Sequence, residues 1–387
     1  MTSDVRYPGC DPQSKAYQMA GSVRIERVEP IIRADSLEYI LFNKKDLTRQ
    51  ADFLVDFGMM IAKRTDDALY MRGAGTSPYF YAAFNFDRDQ KKGGDAIRRG
   101  YFGIGFGVKS QVELELLGRK LGKEIESVDG PGGGNRLRLR DPDGFIVDIV
   151  HGRTRVERLE SRTEPDVLNT PFKKSRINAT VRRPIQPATL ERLGHCVLSV
   201  SDFSASLKWY MRHIGLIPTD VQCLEDGTPA LSFNRLDRGN ELTDHHSLVL
   251  VQNVSAHYMH SAYETLDIDS IGQGQQYLFA KGWTHFWGIG RHILGSQIFD
   301  YWLDPEGDEL EHYADGDVFD NQAPTSYHPL EIGGLWAWGA DVPDMKPKMT
   351  PRQLLRVVKA VRSGKLSTQR IGLIKKAMSS RPRPWAK

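Results

Sequence analysis

Hydrophobic and polar positions follow the same order twice along the chain. The stretches "SLEYILFNKKDLTRQADFLVDFGMMI" from Ser36 and "RLGHCVLSVSDFSASLKWYMRHIGLI" from Arg192 each begin with a short apolar run of strand length. An aspartate follows, and apolar positions then recur at helical spacing as far as a glycine. Each copy therefore predicts a strand, an Asp N-cap and an amphipathic helix that ends near glycine. The capping and closing residues are Asp46 with Gly58 and Asp202 with Gly215.

A second landmark is also present in two copies. Asp-Pro-x-Gly occurs at residues 141–144 and 304–307, and this combination is typical of a turn between two strands. The capping aspartates recur after 156 residues and the turns after 163. These offsets indicate a tandem duplication.

Each half holds two units of one helix with its strands, and the last unit begins near Tyr258. The pattern predicts an α+β fold of four βαβββ modules paired into two similar domains. We assign residues 1–30 to an N-terminal extension, 31–152 to the first domain and 153–188 to a polar linker. The second domain covers 189–320, and 321–387 form a C-terminal extension with basic helices.

The C-terminal extension differs in charge from the rest of the chain. Residues 345–387 contain 13 Lys or Arg and no Asp or Glu, which leaves a formal charge of −10 on the remainder of a chain of net charge +3. Thr350, Pro351 and Gly364 delimit a helix with an apolar stripe, and a second short helix follows Ser367. The stripe consists of Leu354, Val357, Val358 and Val361. We expect the tail to pack on its own acidic body or on a neighbouring subunit of a homo-oligomer.

Composition excludes several classes of protein. No run of about 18 apolar residues predicts a membrane span, and the N-terminus has no secretory pattern. The three cysteines are odd in number and lack metal-ligand spacing, so a reducing cytoplasm is the simplest expectation. No dinucleotide fingerprint, P-loop or zinc-finger pattern occurs, and we expect no nucleic-acid partner.

The histidines suggest chemistry in the second half only. Of the 11 in the chain, 9 lie between residues 195 and 312. His195 and His260 fall on the first strands of the third and fourth modules, and Glu311 falls on the last strand. One inward position from each of three strands can converge on a point. Two imidazoles and a carboxylate are a set that holds Fe(II) while leaving positions open.

Strand alternation does not fix these assignments completely. Several neighbours compete, and residues two apart on a strand share a face. The rival pairs are Glu309 and Glu311, His257 and His260, and His245 and His246. Cys196 and His312 are expected to face away from the site.

From about Arg192 to Asp317 the chain resembles a type I extradiol ring-cleaving dioxygenase of the vicinal oxygen chelate superfamily. The matching stretches are "RLGHCVLSVSDF", "DHHSLVL", "HSAYET" and "GRHILGSQIFDYWLDPEGDELEHY". The trihydroxytoluene oxygenase-like group is the nearest in resemblance. The first half resembles the fold more weakly, and the linker and tail are not covered.

The resemblance implies a role for each candidate. His195, His260 and Glu311 would hold Fe(II), or Mn(II), and would be preferred over His257 and Glu309. His246, rather than His245, would be the acid and base, His292 would donate to a substrate oxygen or O₂, and Tyr301 would hydrogen-bond the substrate. The family has a polar pair where this chain has Leu294 and Gly295, so substrate preference is less transferable.

The first half lacks this set. Tyr39 stands at the position of His195 and Asp148 at that of Glu311, and the strand "GYFGIGFGV" has no histidine. This asymmetry favours a dioxygenase that opens a catechol-type ring with O₂. The alternatives are a metal-dependent isomerase, lyase or epimerase of the same superfamily, which would consume no O₂, and a sequestering protein.

Overall fold

The structure is a computed structural model that describes residues 22–85, 100–343 and 368–379. Within those ranges the chain forms two large sheets with helices packed against them. The strands of the first sheet are β1 (Ser36–Lys44), β2 (Met60–Arg64), β3 (Ala68–Arg72), β4 (Tyr81–Asn85), β5 (Gly100–Gly107), β6 (Glu126–Ser127), β7 (Asn135–Arg140) and β8 (Ile146–His151). Its helices are α1 (Leu47–Phe57) and α2 (Gln111–Leu121).

The second half repeats this arrangement and extends it. Its strands are β9 (Arg192–Val200), β10 (Leu216–Cys223), β11 (Pro229–Leu236), β12 (Thr243–Asp244), β13 (Leu248–Gln252), β14 (His257–Glu264), β15 (Thr284–His292), β16 (Ile298–Leu303), β17 (Glu309–Ala314), β18 (Val318–Phe319), β19 (Ser326–Pro329) and β20 (Trp336–Gly339). Its helices are α3 (Phe203–Ile214), α4 (Ile268–Ala280), a 3₁₀ turn (Ile332–Gly334) and α5 (Thr368–Ser379).

The predicted helix signals act as expected. The carboxylate of Asp46 accepts from the backbone N–H groups of Thr48 and Arg49, and that of Asp202 accepts from Ala205. Gly58 and Gly215 end these helices with φ of 114° and 76°, a left-handed conformation that favours glycine. The sequence prediction for both helices is therefore confirmed.

Both sheets have the same centre. In the first, antiparallel β1 and β5 are flanked by parallel partners in the order β2-β3-β4-β1-β5-β8-β7-β6. In the second, β9 and β14 take that place in the order β19-β10-β11-β13-β9-β14-β17-β16-β15-β20. The four βαβββ modules and the α+β class are confirmed, and β12 and β18 form a small separate sheet.

The Asp-Pro-x-Gly turns join the two halves. Asp141 of the first half accepts a hydrogen bond of 2.9 Å from the hydroxyl of Tyr210 in α3. Asp304 of the second half accepts from Gln50 in α1 at 3.1 Å and pairs with the buried ammonium of Lys44. Each turn therefore docks against the other domain.

The third residue of each turn repeats this reciprocity. Glu306 accepts from the backbone N–H of Lys45 at 2.6 Å, and Asp143 accepts from that of Ser201 at 3.0 Å. Lys45 and Ser201 each directly precede a helix N-cap. The two domains are thus related by an approximate two-fold arrangement that the repeated turn builds.

Segments outside the repeats hold the domains together or extend the second sheet. The linker region has no regular element among its described residues, but Arg162 pairs with Asp267 at 2.6 Å. Strand β19 pairs with β10 and β20 with β15, so two strands of the predicted C-terminal extension belong to the second sheet. No helix among the described residues has the length and apolar character needed to span a membrane.

The predicted helix with the stripe from Leu354 to Val361 lies outside the described residues. The helix predicted after Ser367 is α5, and it packs on the chain's own second domain. Ala377 joins a small apolar cluster with Leu224 and Ala230, and Lys376 pairs with Glu225 at 2.7 Å. Contact with a neighbouring subunit stays a prediction.

Candidate metal centre and substrate cavity

Three side chains converge on one face of the second sheet. His195 lies on β9, His260 on β14 and Glu311 on β17, and β14 pairs with both of the other strands. One Glu311 oxygen lies 3.2 Å from Nε2 of His195 and 3.3 Å from Nε2 of His260. One ligand atom from each residue lies within 4.8 Å of the other two, so the three could share one ion.

The environment of Glu311 fits a cation. The residue is fully buried, and neither carboxylate oxygen has a hydrogen-bond partner in the described chain. Burial raises the pKa of this carboxyl, but the facing imidazoles of His195, His260 and His292 more than offset it and hold the pKa well below its usual value. A buried, ionised carboxylate without partners is costly unless a cation neutralises it.

The state of His195 also suits a metal. Burial lowers the pKa of this imidazole, which keeps the ring neutral and its nitrogen lone pair available. Imidazole nitrogen and carboxylate oxygen together accept Fe(II) or Mn(II).

The rival candidates lie outside this group. Glu309 lines the neighbouring cavity, and burial raises the pKa of its carboxyl to about 7. His257 is exposed, with Nδ1 2.9 Å from the carbonyl of Ser255. His312 lies on the opposite face, where it donates to the carbonyl of Phe57 at 2.7 Å. Cys196 is buried in the core, as expected.

His292 and Tyr301 form a pair beside Glu311. Nδ1 of His292 lies 2.9 Å from the carbonyl oxygen of Leu335, and Nε2 lies 3.0 Å from the hydroxyl of Tyr301. A carbonyl can only accept, so Nδ1 carries a hydrogen, and one hydrogen lies between Nε2 and the hydroxyl of Tyr301. Donation from His292 to a substrate oxygen or O₂, the role that the resemblance implied, stays a prediction.

Tyr301 is held as a neutral phenol. Burial and the charge of Glu311 raise its pKa well above the usual value. Its ring stacks on Trp287 at a centroid distance of 5.4 Å and meets His260 edge-on at 5.0 Å. The hydroxyl is therefore fixed as a hydrogen-bond donor.

His246 lies on the other side of His195. The two ring centroids are 4.1 Å apart, and Nδ1 of His246 is 2.8 Å from Nδ1 of His245. Burial lowers the pKa of His246 well below its usual value, and the nearby imidazoles lower it further. The neutral ring can accept a proton from a bound ligand.

A cavity of about 210 Å³ opens from the metal-site residues. Its lining contains the predicted site residues His195, His246, His260, His292 and Tyr301. The remainder is mostly aliphatic and aromatic, and among the described residues no Lys or Arg lines it. Its charged side chains besides the site residues are Glu309 and Glu331.

Part of this wall comes from the C-terminal extension. Leu330, Leu335, Val342 and, in α5, Ile374 line the cavity. Sequence analysis missed them because an apolar residue after the last repeat carries no signal of where it packs.

The corresponding place in the first half is filled by protein groups. The hydroxyl of Tyr39 donates to Asp148 at 3.0 Å, and Arg138 binds the same carboxylate at 2.8 and 2.9 Å. Gly105 admits the tyrosine ring, since a Cβ there would lie 2.6 Å from it. Gly103 occupies the register position of His260. The first half therefore satisfies its carboxylate internally.

Comparisons with known proteins identify relatives. The chain is 28% identical over 310 residues to metapyrocatechase 2 of Cupriavidus necator, a match that covers 80% of this chain and 90% of that protein. No protein-family model matches the chain.

Solved structures share the fold. The Mn(II)-bound glyoxalase from Novosphingobium aromaticivorans is 18% identical with a TM-score of 0.64, covering 82% of this chain and 95% of that one. The homoprotocatechuate 2,3-dioxygenase of Brevibacterium fuscum, in complex with 3,4-dihydroxyphenylacetate, is 19% identical with a TM-score of 0.63, covering 82% and 94%.

Proposed function

We propose that the chain is an extradiol ring-cleaving dioxygenase of the vicinal oxygen chelate superfamily and that it opens a catechol-type ring with O₂ at an iron centre. Fe(II) would be held by His195, His260 and Glu311. The observation that carries the proposal is the buried carboxylate of Glu311, which has no hydrogen-bond partner in the described chain and faces two imidazoles beside an apolar cavity.

When bound, Fe(II) would supply the Lewis-acid and redox chemistry that ring opening by O₂ requires. His246, a neutral imidazole beside His195, would take the proton of a catechol hydroxyl and return it later to a product oxygen. Tyr301, kept protonated by burial, would turn its single O–H toward the substrate oxygen and orient the ring. His292 would keep its place beside Tyr301 through the bond from its Nδ1 to the carbonyl of Leu335.

The cavity limits the ring substituent. Its aliphatic and aromatic wall offers no Lys or Arg from the described residues to a carboxylate on the substrate, and its other acidic side chains, Glu309 and Glu331, could not neutralise one. Burial of an apolar substituent there is favourable at roughly 25 cal/mol per Å². We therefore expect an uncharged alkyl or aryl catechol to be preferred over 3,4-dihydroxyphenylacetate.

Oxygen consumption provides the test. The protein is loaded anaerobically with Fe(II) or Mn(II) in parallel, given a panel of alkyl, aryl and carboxylate-bearing catechols, and monitored for O₂ uptake and ring-opened product. We expect one O₂ consumed per ring opened, fastest with uncharged catechols. Absence of uptake with the whole panel would contradict the proposal, and conversion without O₂ would indicate an isomerase or lyase instead.

The cellular setting stays a prediction. Cys196 and Cys223 are both unpaired and buried, which is compatible with the reducing cytoplasm that we expect. The homo-oligomer is likewise expected, and analytical ultracentrifugation of the full chain tests it.

A further inference from the structure

A chain of hydrogen bonds leads from His246 away from the cavity. Nδ1 of His246 lies 2.8 Å from Nδ1 of His245, and Nε2 of His245 lies 2.6 Å from one oxygen of Asp220. The other oxygen of Asp220 lies 2.8 Å from Nε2 of His328. Asp220 and His328 come from the paired strands β10 and β19.

The protonation state of Asp220 fixes the direction of these bonds. Burial raises the pKa of this carboxyl, but the hydrogen bonds from His245 and His328 prevail and lower it to about 2. An ionised carboxylate only accepts, so both histidines must carry hydrogen on Nε2. One hydrogen lies between the two Nδ1 atoms, and because Nε2 of His245 already carries its own hydrogen, we assign the one between the rings to His246.

From this geometry we infer that Asp220 and His245 are positioning residues that set the tautomer of His246. With hydrogen on Nδ1, His246 keeps the lone pair of Nε2 for a proton of the ligand. The inference rests on the proposed function, in which His246 is the base. Asp220 and His245 would fix the tautomer of that base without touching the substrate. His328 orients Asp220 from its other side.

The surroundings of His245 hold its ring in one place. Its backbone N–H donates to Asp317, its carbonyl accepts from Thr219 at 2.7 Å, and Phe233 and Phe319 lie beside the ring. Gly295, with φ of 84°, passes so close that a Cβ would lie 3.0 Å from Nδ1 of His245. A side chain at 295 would disturb the bond to His246, which gives a physical reason for glycine where the resembling family has a polar residue.

Nuclear magnetic resonance tests the tautomers without any turnover. Long-range ¹H–¹⁵N spectra of the full, metal-free chain with labelled histidine distinguish protonated from bare ring nitrogens. We expect Nε2–H at His245 and Nδ1–H at His246, with His246→Gln used to assign the signals. An imidazolium at His245, or hydrogen on Nε2 of His246, would overturn the inference even if the protein proves to be an active dioxygenase.

Substitution of Asp220 tests the consequence. In Asp220→Asn the amide can donate to Nε2 of His245, which moves hydrogen to Nδ1 of His245 and then to Nε2 of His246. We expect kcat to fall about 10–100-fold, the usual effect of removing a residue that hydrogen-bonds a site residue from outside. Iron content and anaerobic catechol affinity should stay unchanged. The matched control is His257→Gln, which changes an exposed histidine outside this hydrogen-bond chain and should stay within about two- to three-fold of wild type.

The histidine tautomers and the kcat of Asp220→Asn together distinguish failure of this inference from failure of the proposed function. Wild-type kcat in Asp220→Asn, together with the expected tautomers, would overturn the positioning role and leave the proposed function intact. Inactivity of the wild-type chain on all catechols, with the expected tautomers, would contradict the proposed function and leave the tautomer assignment standing. Reduced iron content in Asp220→Asn would make its role structural and likewise overturn the inference.

Discussion

Glu311 and Glu309 stand two places apart on β17, but only Glu311 reaches the imidazoles of His195 and His260. We expect Glu311→Gln to lower metal affinity by more than about 100-fold, because the charge that neutralises the cation is gone. This exceeds the usual effect of losing a residue that only hydrogen-bonds a metal ligand. Glu309→Gln is the matched control and should keep the metal. Metal content after dialysis measures both, and metal retained by Glu311→Gln would contradict the assignment.

His246 and His257 form a second matched pair. We expect His246→Ala to lower kcat about 10²–10⁴-fold, the usual contribution of a general acid–base group, with anaerobic catechol affinity preserved. His257→Ala changes an exposed residue outside the site and should behave as wild type. Stopped-flow binding and O₂ uptake provide the two measurements. Loss of binding and turnover together would mean that His246 only shapes the cavity.

Side chains differed in how far sequence could place them. Strand alternation and module order could put His195, His260 and Glu311 on one face, and the family resemblance preferred them over Glu309 and His257. Asp220 and His328 gave no such signal, since they are far apart in sequence and meet only through the parallel pairing of β10 and β19. The carbonyl of Leu335 is a backbone group, which no residue pattern reveals.

Among the secondary-structure elements, the basic helix α5 contributes an apolar side chain to the cavity, which its charge did not indicate. Ile374 lines the cavity, whereas Lys376 pairs with Glu225 at the surface. We expect Ile374→Ala to raise KM for alkyl and aryl catechols by roughly ten-fold, about the cost of removing two to three buried methylene groups, and to leave unsubstituted catechol unaffected. Lys376→Ala removes an exposed ion pair and should change little.

Steady-state kinetics with paired substrates measure this effect. An equal rise in KM for substituted and unsubstituted catechol would indicate that α5 supports the fold rather than the substituent pocket. Unchanged KM for both would remove Ile374 from the binding surface.

Elements with local signals were predicted and elements without them were not. Asp46, Asp202 and their closing glycines fixed two helices, because capping depends on neighbours in sequence. Strands β19 and β20 escaped detection because each has only 4 residues and is stabilised by pairing with a distant strand edge. The basic composition of the tail predicted packing on an acidic surface but could not indicate a cavity.

Across the whole molecule, the duplication places the same central strands in both halves, but the carboxylates on those strands have different partners. The second half holds an unpaired carboxylate, Glu311, and the first half satisfies Asp148 with Tyr39 and Arg138. The reciprocal turns at Asp141 and Asp304 keep the two frames in register. We therefore expect the first domain to act by supporting the second.

The two turn aspartates are equivalent in position, but their carboxylates have different partners. Asp304 is paired with buried Lys44, and Asp308 lies 2.7 Å from the same ammonium. Asp141 has Tyr210 and backbone N–H groups, and burial raises the pKa of its carboxyl to about 6. Replacing each aspartate with asparagine should therefore change the unfolding free energy at pH 7 in opposite directions.

Between the unfolded pKa of about 3.9 and the folded pKa of about 6, the folded chain binds more protons at Asp141 than the unfolded chain. This contribution to stability is full below that window and is lost as pH rises through it. We expect Asp141→Asn to gain on wild type by about 2 kcal/mol in unfolding free energy from pH 4 to pH 7. Asp304→Asn should instead lose roughly 1–3 kcal/mol at pH 7, because the buried ammonium of Lys44 is left with Asp308 as its one carboxylate. Denaturant unfolding of the metal-free proteins measures both, and a pH-independent difference for Asp141→Asn would show that its carboxyl titrates alike in both states.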